Sequence, residues 1–421
     1  MMGIAGCALF CTTGGGVPED EGVTGMRWVR RTLLGAGAMA ALVGMFGGGP
    51  GNSVCHAQQT TAIEAVASPG DQPDNPGPLA TDLSPAIHAK QIRAAMRRVA
   101  EWELSRAEYQ PASRDWDFGT LDIGFMAASR TLADPRYSRY VAQVGGQFGW
   151  KLERTMYPAN DFAIAQAWIE VYRSSHNEGQ IAPLRRQYDD AVALLNDKEK
   201  PAWWWCDALF MAPAAGTALS EVTGDNTYNA YVDREWGETE KVLYDKQKHL
   251  FSRDASYLDK HEKNGEKIFW SRGNGWVMAG IVRVLATLPQ DDPLRPHYVA
   301  LLKEMAQEVA SLQGSDGLWR PGLLDPGSYP QPEVSGSAFF TYALAWGIDH
   351  RMLDADTYLP VVEKAWAGLL AHVYQDGRLG SIQPIGEAPA DYKPSSSYNF
   401  GVGAFLLAGA ELDVLSEHKH W

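Results

Sequence analysis

Six times along this chain a short polar or glycine-containing start runs into an apolar, alanine-rich segment. The starts are Asp117-Phe-Gly-Thr-Leu-Asp, Asn160-Asp-Phe-Ala-Ile-Ala, Cys206-Asp-Ala-Leu-Phe-Met, Arg272-Gly-Asn-Gly-Trp-Val, Ser335-Gly-Ser-Ala-Phe-Phe and Asn399-Phe-Gly-Val-Gly-Ala. They recur at roughly 40 to 70 residues, the size of a helical hairpin with an elaborated loop. Between them lie more polar, amphipathic stretches, such as residues 185–195, 297–312 and 358–373. Helices apolar on nearly all sides belong inside, and amphipathic ones belong outside. Six of each, alternating along the chain, predict an all-α fold: an (α/α)6 barrel of six inner and six outer helices. An open solenoid would need polar capping repeats, and none is evident.

Asp and Asn mark the turns into outer helices at Ala133-Asp-Pro-Arg-Tyr, Gly224-Asp-Asn-Thr-Tyr and Asp354-Ala-Asp-Thr-Tyr. Their side chains bond the local backbone and cap the next helix. Ser315-Asp-Gly-Leu-Trp and Gln375-Asp-Gly-Arg-Leu carry the Asp-Gly pair of a tight hairpin.

The chain divides into three parts. Residues 1–57 read as an upstream extension followed by an export signal. Arg27, Arg30 and Arg31 precede an apolar run over residues 33–46, Ala57 offers a cleavage point, and Met26 opens the pattern as the expected start. Residues 58–85, rich in Pro, Ala, Thr and Asp, read as a flexible linker. Residues 86–421 form the barrel, with its first helix opening near Ser84-Pro85. Export to the periplasm or the medium would remove Cys7, Cys11 and Cys55. Only Cys206 then remains, so neither an intrachain disulfide nor a cysteine metal site is expected.

If the inner helices run in one direction, their starts gather at one mouth. That mouth receives Asp117 or Asp122, Asp161, Asp207, Arg272, Asn274, Trp276, Ser335, Ser337 and Asn399, with Glu333 just before the fifth start. Carboxylates, an arginine and several tryptophans around one opening suit carbohydrate processing. A net charge of −14 argues against a nucleic-acid or anionic-membrane partner. No GxGxxG, P-loop, zinc-binding helix or nucleophile elbow is present, so no cofactor and no metal are expected.

Within the mouth, Pro201-Ala-Trp-Trp-Trp-Cys-Asp-Ala-Leu-Phe-Met-Ala-Pro stands out. An ionised Asp among Trp204, Trp205 and Phe210 is either a helix N-cap or a carboxylate kept dry for chemistry. Arg272 is either a tie to loop carbonyls or to a carboxylate, or a hold on an anionic ligand.

The stretches Trp204-Trp-Cys-Asp-Ala-Leu-Phe-Met-Ala-Pro, Trp270-Ser-Arg-Gly-Asn-Gly-Trp and Ser335-Gly-Ser-Ala-Phe resemble the signatures of glycoside hydrolase family 105, over about residue 87 to the C-terminus. These are the unsaturated rhamnogalacturonyl hydrolases and relatives acting on other unsaturated uronyl disaccharides. The resemblance implies an (α/α)6 barrel and a hydration mechanism. The substrate is an oligosaccharide ending in a C4=C5 unsaturated uronic acid, as left by a polysaccharide lyase. Asp207 matches the catalytic acid and base, and Asp161 a second carboxylate. Arg272 and Trp276 match residues that hold and stack the unsaturated ring, with Asn274, Trp204, Trp205 and Ser335 as further binding candidates. Some members carry a His where this chain has Ser252-Arg253-Asp254, which makes Arg253 the expected substrate contact there.

Two other readings compete. One is an ordinary inverting glycosidase, using Asp207 and Glu333 about 6.5–9.5 Å apart. The other is a non-catalytic glycan-binding barrel.

Overall fold

The computed structural model describes residues 75–153, 158–195 and 202–418. The expected export segment, most of the expected linker, and Cys7, Cys11 and Cys55 lie outside the described residues.

The helices alternate as the repeat predicts. The inner set is α2 (Trp116–Thr131), α5 (Ala163–Ser175), α7 (Ala208–Met211) continued by α8 (Pro213–Thr223), α10 (Ser271–Thr287), α12 (Val334–Asp349) and α14 (Asn399–Glu417). The outer set is α1 (Ala89–Tyr109), α3 (Pro135–Gln147), α6 (Glu178–Leu195), α9 (Thr227–Leu243), α11 (Arg295–Ser311) and α13 (Ala355–Leu370). A short α4 (Pro158–Asp161) precedes α5, and a four-residue loop joins the two-residue strands β1 (Tyr244–Asp245) and β2 (Leu250–Phe251) in a hairpin. Each inner helix packs on the next, and α14 closes the ring onto α2.

Close approach between inner helices depends on missing side chains. A Cβ on Gly124 would lie 2.6 Å from Cα of Gly403, and one on Gly280 would lie 2.0 Å from the carbonyl oxygen of Leu209. The third inner helix is the broken one. Pro213 has no N–H to continue the ladder, so α7 stops at Met211 and α8 begins afresh. Outer helices start where their Asp residues predict: Asp134 accepts from Arg136 N, and Asp354 from Thr357 N.

The helix starts do share one mouth. Trp276 from α10 meets the rings of Trp116 (α2), Phe210 (α7), Phe339 (α12) and Phe400 (α14) at centroid distances of 6.1, 4.8, 4.3 and 6.3 Å. These rings all lie near the beginnings of their helices, and together they plug the barrel axis beneath the mouth. Farther along the helices, Arg283 of α10 donates to Gln166 of α5, and Thr287 to Thr217 of α8.

The structure differs from expectation at the start of the barrel. Ser84-Pro85 does not open the first helix; α1 begins at Ala89 after His88. The end of the expected linker is already part of the fold. Leu79 bridges Tyr374, Ala80 N donates to Val373 O, and Arg98 holds Asp82 through two 2.6 Å hydrogen bonds. Composition suggested a loose segment, whereas backbone pairing with a distant turn fixes it.

Candidate active site

Asp207 sits in the turn immediately before α7. It occupies the N-cap position, yet its side chain makes no capping hydrogen bond and its backbone is helical. The carboxylate is therefore free of the structural task that the sequence left open to it. Its side chain is 13% exposed. Burial pushes its proton affinity above the ordinary carboxylate range, opposed chiefly by Arg253 and then by Arg272. Its neighbours are Cys206, whose thiol lies 3.4 Å from Oδ2, and Arg253, whose Nε lies 3.8 Å from the same oxygen.

The three tryptophans divide the work by exposure. Trp203 is buried and packs edge-on against Tyr231. Trp205 is buried in a short bridge to Asp254, with its ring 4.9 Å from that of Trp204. Trp204 is the open one, at 42% exposure, and the Arg253 guanidinium lies 5.6 Å from its ring centre. It offers the apolar face a sugar ring can stack on.

Asp161 closes α4, which packs directly on α7. The second carboxylate candidate thus lies on an element packed against the short helix that Asp207 precedes. Asp117, in the first turn of α2, accepts from Asn399 Nδ2 at 3.1 Å, and burial raises its pKa to about 6. Asp122 does not join the mouth. It is buried farther along the helix, without a hydrogen-bond partner for either oxygen among the described residues.

Several expected sugar contacts prove to be structural. Asn274 is buried; its Oδ1 accepts from Phe251 N at 2.7 Å, while Nδ2 donates to the carbonyls of Phe251 and Trp270. An amide so engaged cannot bind substrate directly, and that expectation is corrected. Ser335 is corrected likewise: its hydroxyl donates to Glu333 Oε1 at 2.7 Å inside the fold. Arg272 is buried between the rings of Trp270 and Phe400 and donates to the carbonyls of Gln383 and Pro384 at 2.6 and 2.7 Å. Of its two readings, the loop tie is what the structure places there. Trp276, 1% exposed, is the centre of the aromatic plug and presents no open face.

Glu333 loses its part in the inverting alternative. It is fully buried as the N-cap of α12 and accepts from Ser335 N, Gly336 N, Ser335 Oγ and Gln383 N. No room remains for a water to be activated by it.

Two contributors escaped the sequence. Asp254 and Glu387 hold the Arg253 Nη1 at 2.7 and 3.2 Å. Glu387 lies in an irregular loop far along the chain, and no local pattern marks it.

The family described as Glycosyl Hydrolase Family 88 matches residues 89–415. An "Unsaturated 3S-rhamnoglycuronyl hydrolase" of Formosa agariphila is 36% identical over 79% of this chain and 93% of its own length. A protein of the same name from Alteromonas sp. (strain LOR) is 31% identical over 79% of this chain and 89% of its own. A solved structure, "Glycosyl hydrolase family 88 from Bacteroides vulgatus", superposes with a TM-score of 0.73 at 29% identity, covering 78% of this chain and 99% of that one. The matched family carries the number 88 where the motifs pointed to 105. The relatives' names bear out the expected kinship with hydrolases of unsaturated uronyl sugars.

Proposed function

We propose, from the premise that this chain belongs to glycosyl hydrolase family 88, that it removes the C4=C5 unsaturated uronic acid from the non-reducing end of lyase-generated oligosaccharides. The observation that carries the mechanism is Asp207: a desolvated carboxyl with raised proton affinity, free of capping, beside an exposed tryptophan. A carboxyl whose proton affinity is raised by burial is suited to act first as acid and then as base.

Asp207 gives its proton to C4 while a water oxygen bonds to C5. The double bond is consumed, and the proton shed by the water returns to Asp207. The resulting hemiketal opens by breaking its ring C5–O bond. The acetal carbon, now a hemiacetal, releases the leaving sugar with its hydroxyl restored. Atoms balance with one water added and the carboxyl regenerated. Trp204 stacks on the sugar, and Asp161 stands as the second carboxylate. Rhamnose is the proposed leaving sugar, in line with the names of two relatives. Export, expected from the N-terminal pattern, would bring the enzyme to such fragments.

The test uses unsaturated uronyl–rhamnose disaccharides, sulfated and unsulfated. Wild-type protein should abolish the ultraviolet absorbance of the double bond. Asp207→Asn should still bind yet lose at least about 10³-fold in turnover. Activity on saturated glycosides alone, or an Asp207→Asn variant near full activity, would sink the reading.

A further inference from the structure

Asp207 faces a conflict if it serves as both acid and base. It must keep a proton until C4 is in place, yet release it readily. Burial supplies the holding. The release depends on the short segment 251–254, whose two edges are both clamped. On one edge the Asn274 amide pairs with the backbone of Phe251 as a neighbouring strand would, at 2.7 and 3.1 Å. On the other edge Cys206 N donates to Arg253 O at 2.8 Å, and Trp205 bridges Asp254. Arg253 thus stands on backbone that is tied to the backbone of Cys206, next to Asp207 itself.

Its guanidinium is fixed as well. Asp254 and Glu387 hold Nη1 at 2.7 and 3.2 Å. Nε is buried, has no hydrogen-bond partner among the described residues, and lies 3.8 Å from Asp207 Oδ2. That gap is too long for a hydrogen bond and short enough for charge to act. Arg253 therefore attracts the carboxylate without occupying a lone pair. The Cys206 thiol, at 3.4 Å, faces the same Oδ2. Both side-chain neighbours lie on one oxygen.

We propose that Arg253 is a positioning residue for Asp207: it keeps Oδ2 as the charge-bearing oxygen and leaves Oδ1 to exchange the proton with substrate and water. Asn274 acts through it, by clamping the segment on which it stands. This rests on the hydration reading of the same site. The other charged group acting on Asp207 is Arg272 from α10, whose pull is weaker; Asp254 is paired with Arg253, and Asp161 stands on α4, which packs on α7.

The experiment is the pH dependence of kcat/KM on an unsaturated uronyl disaccharide for the wild type, Arg253→Lys, Arg253→Gln and Asn274→Ala. The reactive form of Asp207 is protonated, so kcat/KM falls on the alkaline side as it ionises. Removing the Arg253 charge raises the Asp207 proton affinity. The alkaline limb should therefore move up by about one pH unit in Arg253→Gln. Arg253→Lys, which keeps the charge, should stay within a few tenths of the wild type. Asn274→Ala should move the limb in the same direction as Arg253→Gln, with wild-type circular dichroism reporting that the barrel is intact. An unmoved limb in Arg253→Gln, with Asp207→Asn inactive, overturns this proposal and leaves the hydration reading standing. An active Asp207→Asn overturns both.

Discussion

Trp203, Trp204 and Trp205 are chemically identical neighbours with different fates, which makes them a direct probe of the site at the scale of single residues. Trp203 is sealed in the core against Tyr231, and removing it leaves a large cavity. Trp203→Ala is expected to cost about 3–5 kcal/mol in stability. Trp204 is 42% exposed, so Trp204→Ala should change stability by less than about 0.5 kcal/mol while raising KM several-fold. Chemical denaturation paired with steady-state kinetics separates the two; equal effects on stability would contradict this division. The triplet was visible in the sequence, but its division of labour was not. Alternate exposure of adjacent side chains is set by the bridge from Trp205 to Asp254 and by the packing around Trp203, both made with residues distant in sequence. The same holds for Asp207. Taken with its neighbours alone it favoured a cap, and the missing capping hydrogen bond on a helical backbone decided against that role.

At the scale of elements, the six starts were legible because apolar periodicity is a local property. What each start does was read less well. Polar residues at a helix start have two employments, holding the backbone or meeting a ligand, and sequence does not distinguish them. Glu333, Ser335 and Asn274 are all in the first employment. Only the loops reveal this, because their partners Gln383 and Phe251 come from segments between the helices. The contact between α7 and α10 is the joint that sets the position of Asp207. Gly280→Ala would place a methyl 2.0 Å from the Leu209 carbonyl, where only backbone movement relieves the clash. It should destabilise the fold by about 1–3 kcal/mol and lower kcat through displacement of α7. Thermal unfolding and kcat measured together test this; an unchanged melting temperature would show that the joint has slack.

Over the whole molecule, the buried acids give stability a pH dependence. Burial raises Asp117 to about 6, Glu411 to about 8 and Asp122 well above its ordinary value. Each then binds a proton in the folded state that it has lost in the unfolded one. Stability from these groups is complete below the unfolded values near 4 and is lost as pH rises through about 6 and then about 8. Unfolding midpoints in urea should fall between pH 5 and pH 8.5. Asp122→Asn, which cannot ionise, should flatten that slope and add about 1–3 kcal/mol at the alkaline end. A slope unaltered by Asp122→Asn would remove Asp122 from the account.

The sequence by itself determined the barrel, because six apolar helices that cannot face water must bury one another, and that requirement is written in composition and spacing. It also marked Asp207 and the tryptophans beside it. Tertiary structure alone decided which polar residues were left available for chemistry. A hydrogen bond depends on partners from loops that have no periodicity, and Asn274, Ser335, Glu333 and Arg272 each found such partners. Asp207 was left with a desolvated carboxyl and a clamped arginine, since the segment bearing Arg253 is held at both edges before any substrate arrives.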